Sequence, residues 1–332
     1  MSANSTMETV VFHDPLGLAH ETGPRHPERP ARLESVMRTV RRLGYRVRTP
    51  LDPDPWPSEA LVDAAIRGIH DDSYMHRLRT ACANGDAYID SPDSAIGRQS
   101  ERAARAAVAC AIAAVEFVMA ATLRRGFVAM RPPGHHCERD RSMGFCLYNT
   151  VAIAAQHLID HHGMSRIAIV DFDVHHGNGT QHLFETTEKV FYLSTHQHPA
   201  MLYPGTGYEH EIGTPKTPGA GYTMNLTLPP GSDGDEARRR FDSEAAPRLR
   251  EFRPEVVLVS AGFDADARDP LAGLRWTPDT YACVTRTICA VADEFSQGRI
   301  VSVLEGGYHL QALAEGVERH LAALSNSADG SV

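Results

Sequence analysis

The chain of 332 residues contains six cysteines but no Cys-x-x-Cys pair; they stand alone at positions 82, 110, 137, 146, 283 and 289. That excludes a zinc ribbon and offers no disulfide framework, so a reducing, cytoplasmic setting is expected. Positive charge is also short. Lys and Arg number 33 against 42 Asp and Glu, a formal net charge of -9. A nucleic-acid-binding surface needs clustered basic charge, so no nucleic-acid partner is expected. Long apolar runs are missing as well. The greasiest stretch, 107–123, is broken by Glu116 and flanked by charge, which describes a buried helix rather than a membrane span. No basic segment followed by an apolar one opens the chain, so no signal peptide is expected. Internal repeats, low-complexity tracts and composition breaks are absent. With 42% hydrophobic and 23% charged residues, the expectation is a single α/β domain over 1–332, its core at about 9–324, with short disordered tails.

What is present is an alternation. A β-branched first strand, 9–12, leads into a long loop, 13–30, rich in Gly, Pro and His; loops of that length are often functional. Pro30 suits the first turn of a helix over 31–43 that Gly44 ends. Prolines at 50, 53, 55 and 57 mark a connector, followed by helices at 58–66 and 71–83 and a second surface loop at 84–98. Beyond it, helices at 101–123, 149–161, 179–185, 235–252, 278–295 and 310–324 are interleaved with strands at 127–131, 167–174, 190–195, 223–228, 256–260 and 300–304. Helices between strands mean crossover connections and a mostly parallel sheet.

The carboxyl ends of parallel strands share one edge, where ligand sites of open α/β sheets lie. Asp171, Asp173 and His175 follow an apolar run at i, i+2, i+4, which on extended backbone puts them on one face. Ionised groups are costly to bury unpaired, so either ion pairing or a divalent cation must explain them. The other strand ends are equally polar: Arg131-Pro-Pro-Gly-His135-His136-Cys137, Ser194-Thr195-His196, Ser260-Ala-Gly-Phe-Asp264 and Glu305-Gly-Gly307-Tyr308. Asp264 is the natural third ligand beside Asp173 and His175. Such an Asp₂His set leaves positions open for water and substrate, with zinc the default and Fe²⁺ or Co²⁺ compatible. His135 and His136 are candidate proton carriers, with Asp171 and Asn178 as candidate partners of the rings. Tyr308 can donate to an oxyanion. Together these describe metal-assisted hydrolysis of a carbonyl compound.

The motifs Arg-Pro-Pro-Gly-His-His, Gly-Phe-Cys-Leu-Tyr-Asn, Asp-Phe-Asp-Val-His-His-Gly-Asn-Gly-Thr, Tyr-Pro-Gly-Thr-Gly, Ser-Ala-Gly-Phe-Asp and Glu-Gly-Gly-Tyr occur in that order. From about His13 to Leu324 the chain resembles the zinc-dependent histone deacetylase family, including its bacterial deacetylase and acetylpolyamine amidohydrolase members. The resemblance implies an arginase/deacetylase fold with a central, mainly parallel eight-stranded sheet flanked by helices. It implies zinc on Asp173, His175 and Asp264, with His136 as general base and then acid, Asp171 behind His135, and Tyr308 catalytic. Asn178 behind His136 is similar to the class II branch. Gly144, Phe145, Tyr203 and Gly307 match the substrate tunnel, Leu271 its gatekeeper position, and Asp90 or Asp93 its rim aspartate. Arg29 resembles the arginine of an inner acetate channel. The resemblance further implies an inner potassium site at Asp171, Asp173, His175, Ser194 and Thr195 and an outer one at Phe184, Thr187, Val190 and Tyr222. Cys137 is read as inert filling. The expected substrate is an acylated lysine, because the polyamine branch can use a glutamate where Leu271 stands. The alternatives are a small acylated amine such as an acetylpolyamine, a reader of acyl-lysine without turnover, and a two-metal ureohydrolase. A homo-oligomer is left open.

Overall fold

The computed structural model describes residues 7–325; the expected terminal tails lie mostly outside them. Eight strands form one sheet: β1 (Glu8–Phe12), β2 (Arg46–Arg48), β5 (Arg124–Val128), β6 (Ile167–Asp171), β7 (Val190–Gln197), β8 (Thr223–Leu228), β9 (Val256–Ala261) and β10 (Ile300–Leu304). Their order is β2-β1-β5-β10-β9-β6-β7-β8, and every pairing is parallel. The sheet is therefore wholly rather than mainly parallel. A separate antiparallel pair, β3 (Tyr88–Ile89) with β4 (Ser91–Ala95), occupies part of the expected 84–98 loop.

The strands read as unbroken apolar runs because both faces are covered. In β6, Ile167 and Ile169 belong to one core layer while Ala168 and Val170 belong to the other. The first layer is closed by α2 (Glu59–Ile69), α3 (Asp72–Asn84), α4 (Ser100–Met119) and α5 (Thr150–His162). The second is closed by α1 (Pro30–Leu43), α7 (Gly234–Arg240), α8 (Ala246–Phe252), α9 (Pro278–Phe295) and α10 (Leu310–Ser325). A short α6 (Asn178–Phe184) follows β6 directly.

Three differences from the sequence expectations have physical causes. β2 is Arg-Val-Arg at the sheet edge, too short and charged to stand out as a strand. β5 begins at Arg124 rather than 127, because the charge of buried Arg125 is matched by Asp293 and by the Leu324 carbonyl. The helix expected over 235–252 contains a π-turn at Phe241–Ala245, in which the Ala246 amide donates to the Phe241 carbonyl. Pro247 follows. A proline ring clashes with the carbonyl four residues earlier and brings no N–H, and the widened turn accommodates both.

The 13–30 loop is anchored by charge. Glu28 is fully buried, takes a two-pronged hydrogen bond from Arg131, and pairs with Arg32 at 2.9 Å. Burial opposes the charge of Glu28, but Arg131 and Arg32 outweigh it and bring its pKa down to about 2, against an ordinary value of 4.5. The stability this group contributes is therefore complete above the ordinary value and is lost as the pH falls toward 2. Glu28→Gln would leave two arginines buried without their carboxylate. The expected cost at neutral pH is about 3–5 kcal/mol, read from urea unfolding, and it should shrink on acidification. A neutral-pH loss under about 1 kcal/mol would show that water reaches this cluster.

Candidate active site

β5, β10, β9 and β6 are neighbours in the sheet, and that adjacency gathers their polar carboxyl ends. Asp171 closes β6 level with Ser260 of β9 and Ser194 of β7. Just beyond, Asp173, His175 and Asp264 converge. His175 Nδ1 lies 3.1 Å from Asp173 Oδ1 and 3.2 Å from Asp264 Oδ2, and one ligand atom from each residue falls within 4.8 Å of the others. All three are buried. Backbone amides aim the carboxylates: Gly306 N donates to Asp173 Oδ2 at 2.8 Å and Val174 N to Asp264 Oδ1 at 2.9 Å. A Cβ on Gly306 would lie 2.1 Å from Asp264 Oδ2, so only glycine allows that approach.

The charges of this cluster call for a cation. Burial and the neighbouring Asp173 push Asp264 above the usual carboxylate range. Asp173 stays well below the usual carboxylate range: burial opposes its charge, but His135 and His175 outweigh it. Two dry carboxylates facing one imidazole are relieved by a divalent ion, and an O,O,N donor set with an open side suits one.

Two histidines stand beside the cluster with their rings 4.0 Å apart. His135 Nδ1 is 3.0 Å from Asp171 Oδ2, which also accepts from Tyr192 Oη at 3.1 Å. Burial opposes a charge on His135, but Asp171 and Asp173 push it up to about 10. His136 differs. Its Nδ1 lies 2.8 Å from Asn178 Oδ1. The orientation of that amide is decided by Glu138, whose carboxylate takes the Asn178 Nδ2–H at 2.6 Å. A carboxylate can only accept, so Nδ2 faces Glu138 and Oδ1 faces His136. His136 therefore carries its proton on Nδ1 and keeps Nε2 free. Burial, then the charges of His135 and His175, hold it well below its ordinary pKa. Glu138 is itself braced by His182 Nδ1 at 2.8 Å.

Tyr308 follows β10. Its backbone N–H and that of His309 donate to Asp269 Oδ2 at 2.7 and 3.2 Å, and its ring stands edge-on to Phe145 at 5.8 Å. Burial holds its hydroxyl protonated, pushing the pKa well above the ordinary value. Tyr203 stands edge-on to His136 at 5.2 Å. Gly144, at φ +57°, lies so close to His136 that a Cβ would fall 2.2 Å from the ring.

The histone deacetylase domain model matches residues 26–324. The chain belongs to the histone deacetylase family. A probable deacetylase of Archaeoglobus fulgidus is 37% identical over 91% of this chain and 81% of its own length. A histone deacetylase-like amidohydrolase of Pseudomonas aeruginosa is 32% identical over 91% of this chain and 82% of its own. The crystal structure of the HDA15 HD domain superposes with a TM-score of 0.85 at 30% identity, covering 96% of this chain and 90% of that one. Membership makes the chain a deacetylase of the zinc-dependent hydrolase class, with Asp173, His175 and Asp264 as its metal-site candidate.

One expected position of this deacetylase is corrected. Arg29 is exposed at the head of α1 and makes no capping bond. Arg32, nearly one turn further on, is the fully buried arginine under the site. Its guanidinium donates to the Gly307 and Glu305 carbonyls and lies 4.9 Å from the centre of the Tyr308 ring. Arg29 is the N-cap residue, with extended backbone outside the helix, whereas Arg32 lies in the first turn of α1 and reaches the carbonyls that follow β10.

Asp93 accepts from Gly144 N at 3.1 Å, and Asp90 accepts from Ser142 N at 2.9 Å and pairs with Arg77 at 3.3 Å. Both carboxylates thus brace the loop carrying Gly144 and Phe145. Leu271 is half-buried beside Asp269, which accepts from its N–H at 3.1 Å. Ser194 Oγ is 2.8 Å from His196 Nδ1, and Thr195 Oγ1 is buried without a partner. The Phe184 and Tyr222 carbonyls accept from Thr187 N at 3.0 Å and Tyr192 N at 2.9 Å, with Val190 starting the strand between them. Cys137 is buried against the Leu147 carbonyl, and burial pushes its thiol up.

Sequence reasoning missed Asp269, Glu138, Tyr192 and His182. Only Glu138 carried a signal, an acid directly after His-His-Cys. Glu138→Gln would let the Asn178 amide turn over and present a donor to His136 Nδ1. The expected result is a fall in kcat of about 10-fold or more with KM nearly unchanged, in line with other residues that orient a catalytic ring. Unchanged kcat would mean that the amide is held from elsewhere.

Proposed function

We propose that this chain is one catalytic domain that removes acetyl or longer acyl groups from lysine side chains of proteins or peptides, with zinc at Asp173, His175 and Asp264. One observation carries the reading. Three ligand atoms within 4.8 Å of one another stand beside a buried histidine whose free nitrogen is Nε2. A cation bound there polarises an amide carbonyl and acidifies a water.

The protein's own groups do the rest. His136, neutral and with Nε2 open, takes the water proton as attack begins and returns it to the leaving amine. Asn178 holds the Nδ1 proton and stabilises the imidazolium between these steps. Burial above all keeps His136 neutral before the attack, and Asp171 holds the His135 ring beside it through Nδ1. Tyr308, kept protonated by burial, donates to the oxyanion. Arg32 and Asp269 fix the loop that presents it. Ordered potassium at Asp171, Asp173, His175, Ser194 and Thr195 belongs to the same proposal; the unpartnered Thr195 hydroxyl supports an inner cation. The outer site at Phe184, Thr187, Val190 and Tyr222 rests on the family alone.

The preference for lysine over polyamine rests on the mouth. Leu271 offers no charge. Asp90 and Asp93 are committed to backbone amides, and Asp90 also to Arg77. Asp90 is paired with Arg77, so the preference for lysine rests on the uncharged Leu271. Relatives are named histone deacetylase and amidohydrolase, which fits either substrate. All six cysteines are free, and a cytoplasmic location is part of the proposal.

Two measurements test it. Tyr308→Phe should retain bound metal and lose about 10²–10³-fold in kcat, as for other oxyanion donors; wild-type turnover would remove Tyr308 from the mechanism. For the wild type, kcat/KM on an acetyl-lysine peptide should exceed that on an N-acetylated polyamine by about 10-fold or more. The reverse order would make the chain a small-amine deacetylase. Hydrolysis of neither substrate, nor of longer acyl-lysines, would make it a reader.

A further inference from the structure

At the other edge of the sheet a second group of metal-binding side chains comes together. α4 runs into β5 and α5 into β6, so both helices end at the amino edge, opposite the strand ends that build the active site. Near those helix ends, Glu116 of α4 faces His157 and His162 of α5. Glu116 Oε1 lies 2.7 Å from His157 Nε2 and 2.9 Å from His162 Nε2, and the three ligand atoms fall within 4.8 Å of one another. His157 is buried, with its side chain 1% exposed, while His162 and Glu116 open progressively to solvent at 20% and 51%. His161 stacks on His157 with ring centres 4.4 Å apart, which holds the buried ring in place.

We propose that Glu116, His157 and His162 form a second metal site, of His₂Glu type, for a borderline divalent cation such as zinc. Two imidazoles and a carboxylate are the donors this ion class prefers. One oxygen shared by two ring nitrogens is the contracted form of such a site. Tetrahedral zinc with bonds of about 2.0–2.1 Å separates its ligand atoms by about 3.3 Å. The two contacts must therefore open slightly on binding. The exposed Glu116 and the half-buried His162 at the helix end have the freedom to move, and buried His157 serves as the fixed anchor. The solvent side leaves room for water as the remaining ligand. Bound metal would tie the last turn of α4 to the last turn of α5, bracing the amino edge of the sheet without entering the catalytic pocket.

The test is a zinc titration of the protein already loaded at its catalytic site, against a chromogenic chelator. The wild type is expected to take up one further equivalent. His162→Asn and Glu116→Gln should each weaken that equivalent by about 10-fold or more, the scale of losing one ligand, and leave deacetylase turnover unchanged. Zinc should also raise the thermal midpoint of the loaded wild type and not that of His162→Asn, a change at an exposed helix end that leaves the fold intact. A wild type that binds no further zinc overturns the proposal. So does a further equivalent retained at full strength in both variants, which would place it elsewhere.

Discussion

Everything at the functional edge follows from burying carboxylates where a fully parallel sheet ends. Asp171, Asp173, Asp264 and Glu305 are all essentially inaccessible to water, and a charge there is tolerable only with compensation from every side. The compensation is visible atom by atom. Glycine backbone supplies amides, such as Gly306 N to Asp173 and Gly134 N to Glu305. Imidazoles supply positive charge, such as His135 beside Asp171. Where two of these carboxylates, Asp173 and Asp264, converge on His175 is the place a divalent ion fits.

The same constraint explains the floor of the site. The long loop before α1 delivers Glu28 into the protein, where Arg131 and Arg32 grip it. Arg32 then reaches the Glu305 and Gly307 carbonyls. A loop far away in sequence thereby sets the height of the turn that carries Tyr308. Its composition suggested function; its contribution is to position others.

The acid–base pair shows how one buried acid can decide chemistry at a distance. His135 and His136 are neighbours in sequence and nearly touch, yet their surroundings push their pKa values in opposite directions. The difference is the partner: a carboxylate behind His135, and an amide behind His136 whose orientation is fixed by Glu138. The fold thus gives two identical side chains opposite tendencies to hold a second proton.

Much of this was legible in the sequence. Apolar runs ending in glycine and charge located the strands and their functional edge, and the spacing of Asp171, Asp173 and His175 pointed to one polar cluster, although β6 ends at Asp171 and the two candidate ligands Asp173 and His175 follow it in a bend rather than on extended strand. Class of fold and class of chemistry were determined there. Strand order was not: nothing local says that β10 lies between β5 and β9, and that order brings His135, Asp173, Asp264 and Tyr308 to one point. Nor could sequence choose Arg32 over Arg29, see the strand in Arg-Val-Arg, or attach Asp269 to Tyr308, since each depends on contact with a segment elsewhere in the chain. Spacing along the chain determines the kinds of groups and their local direction. Packing between distant segments alone decides which groups touch, and through contact, which carry a proton.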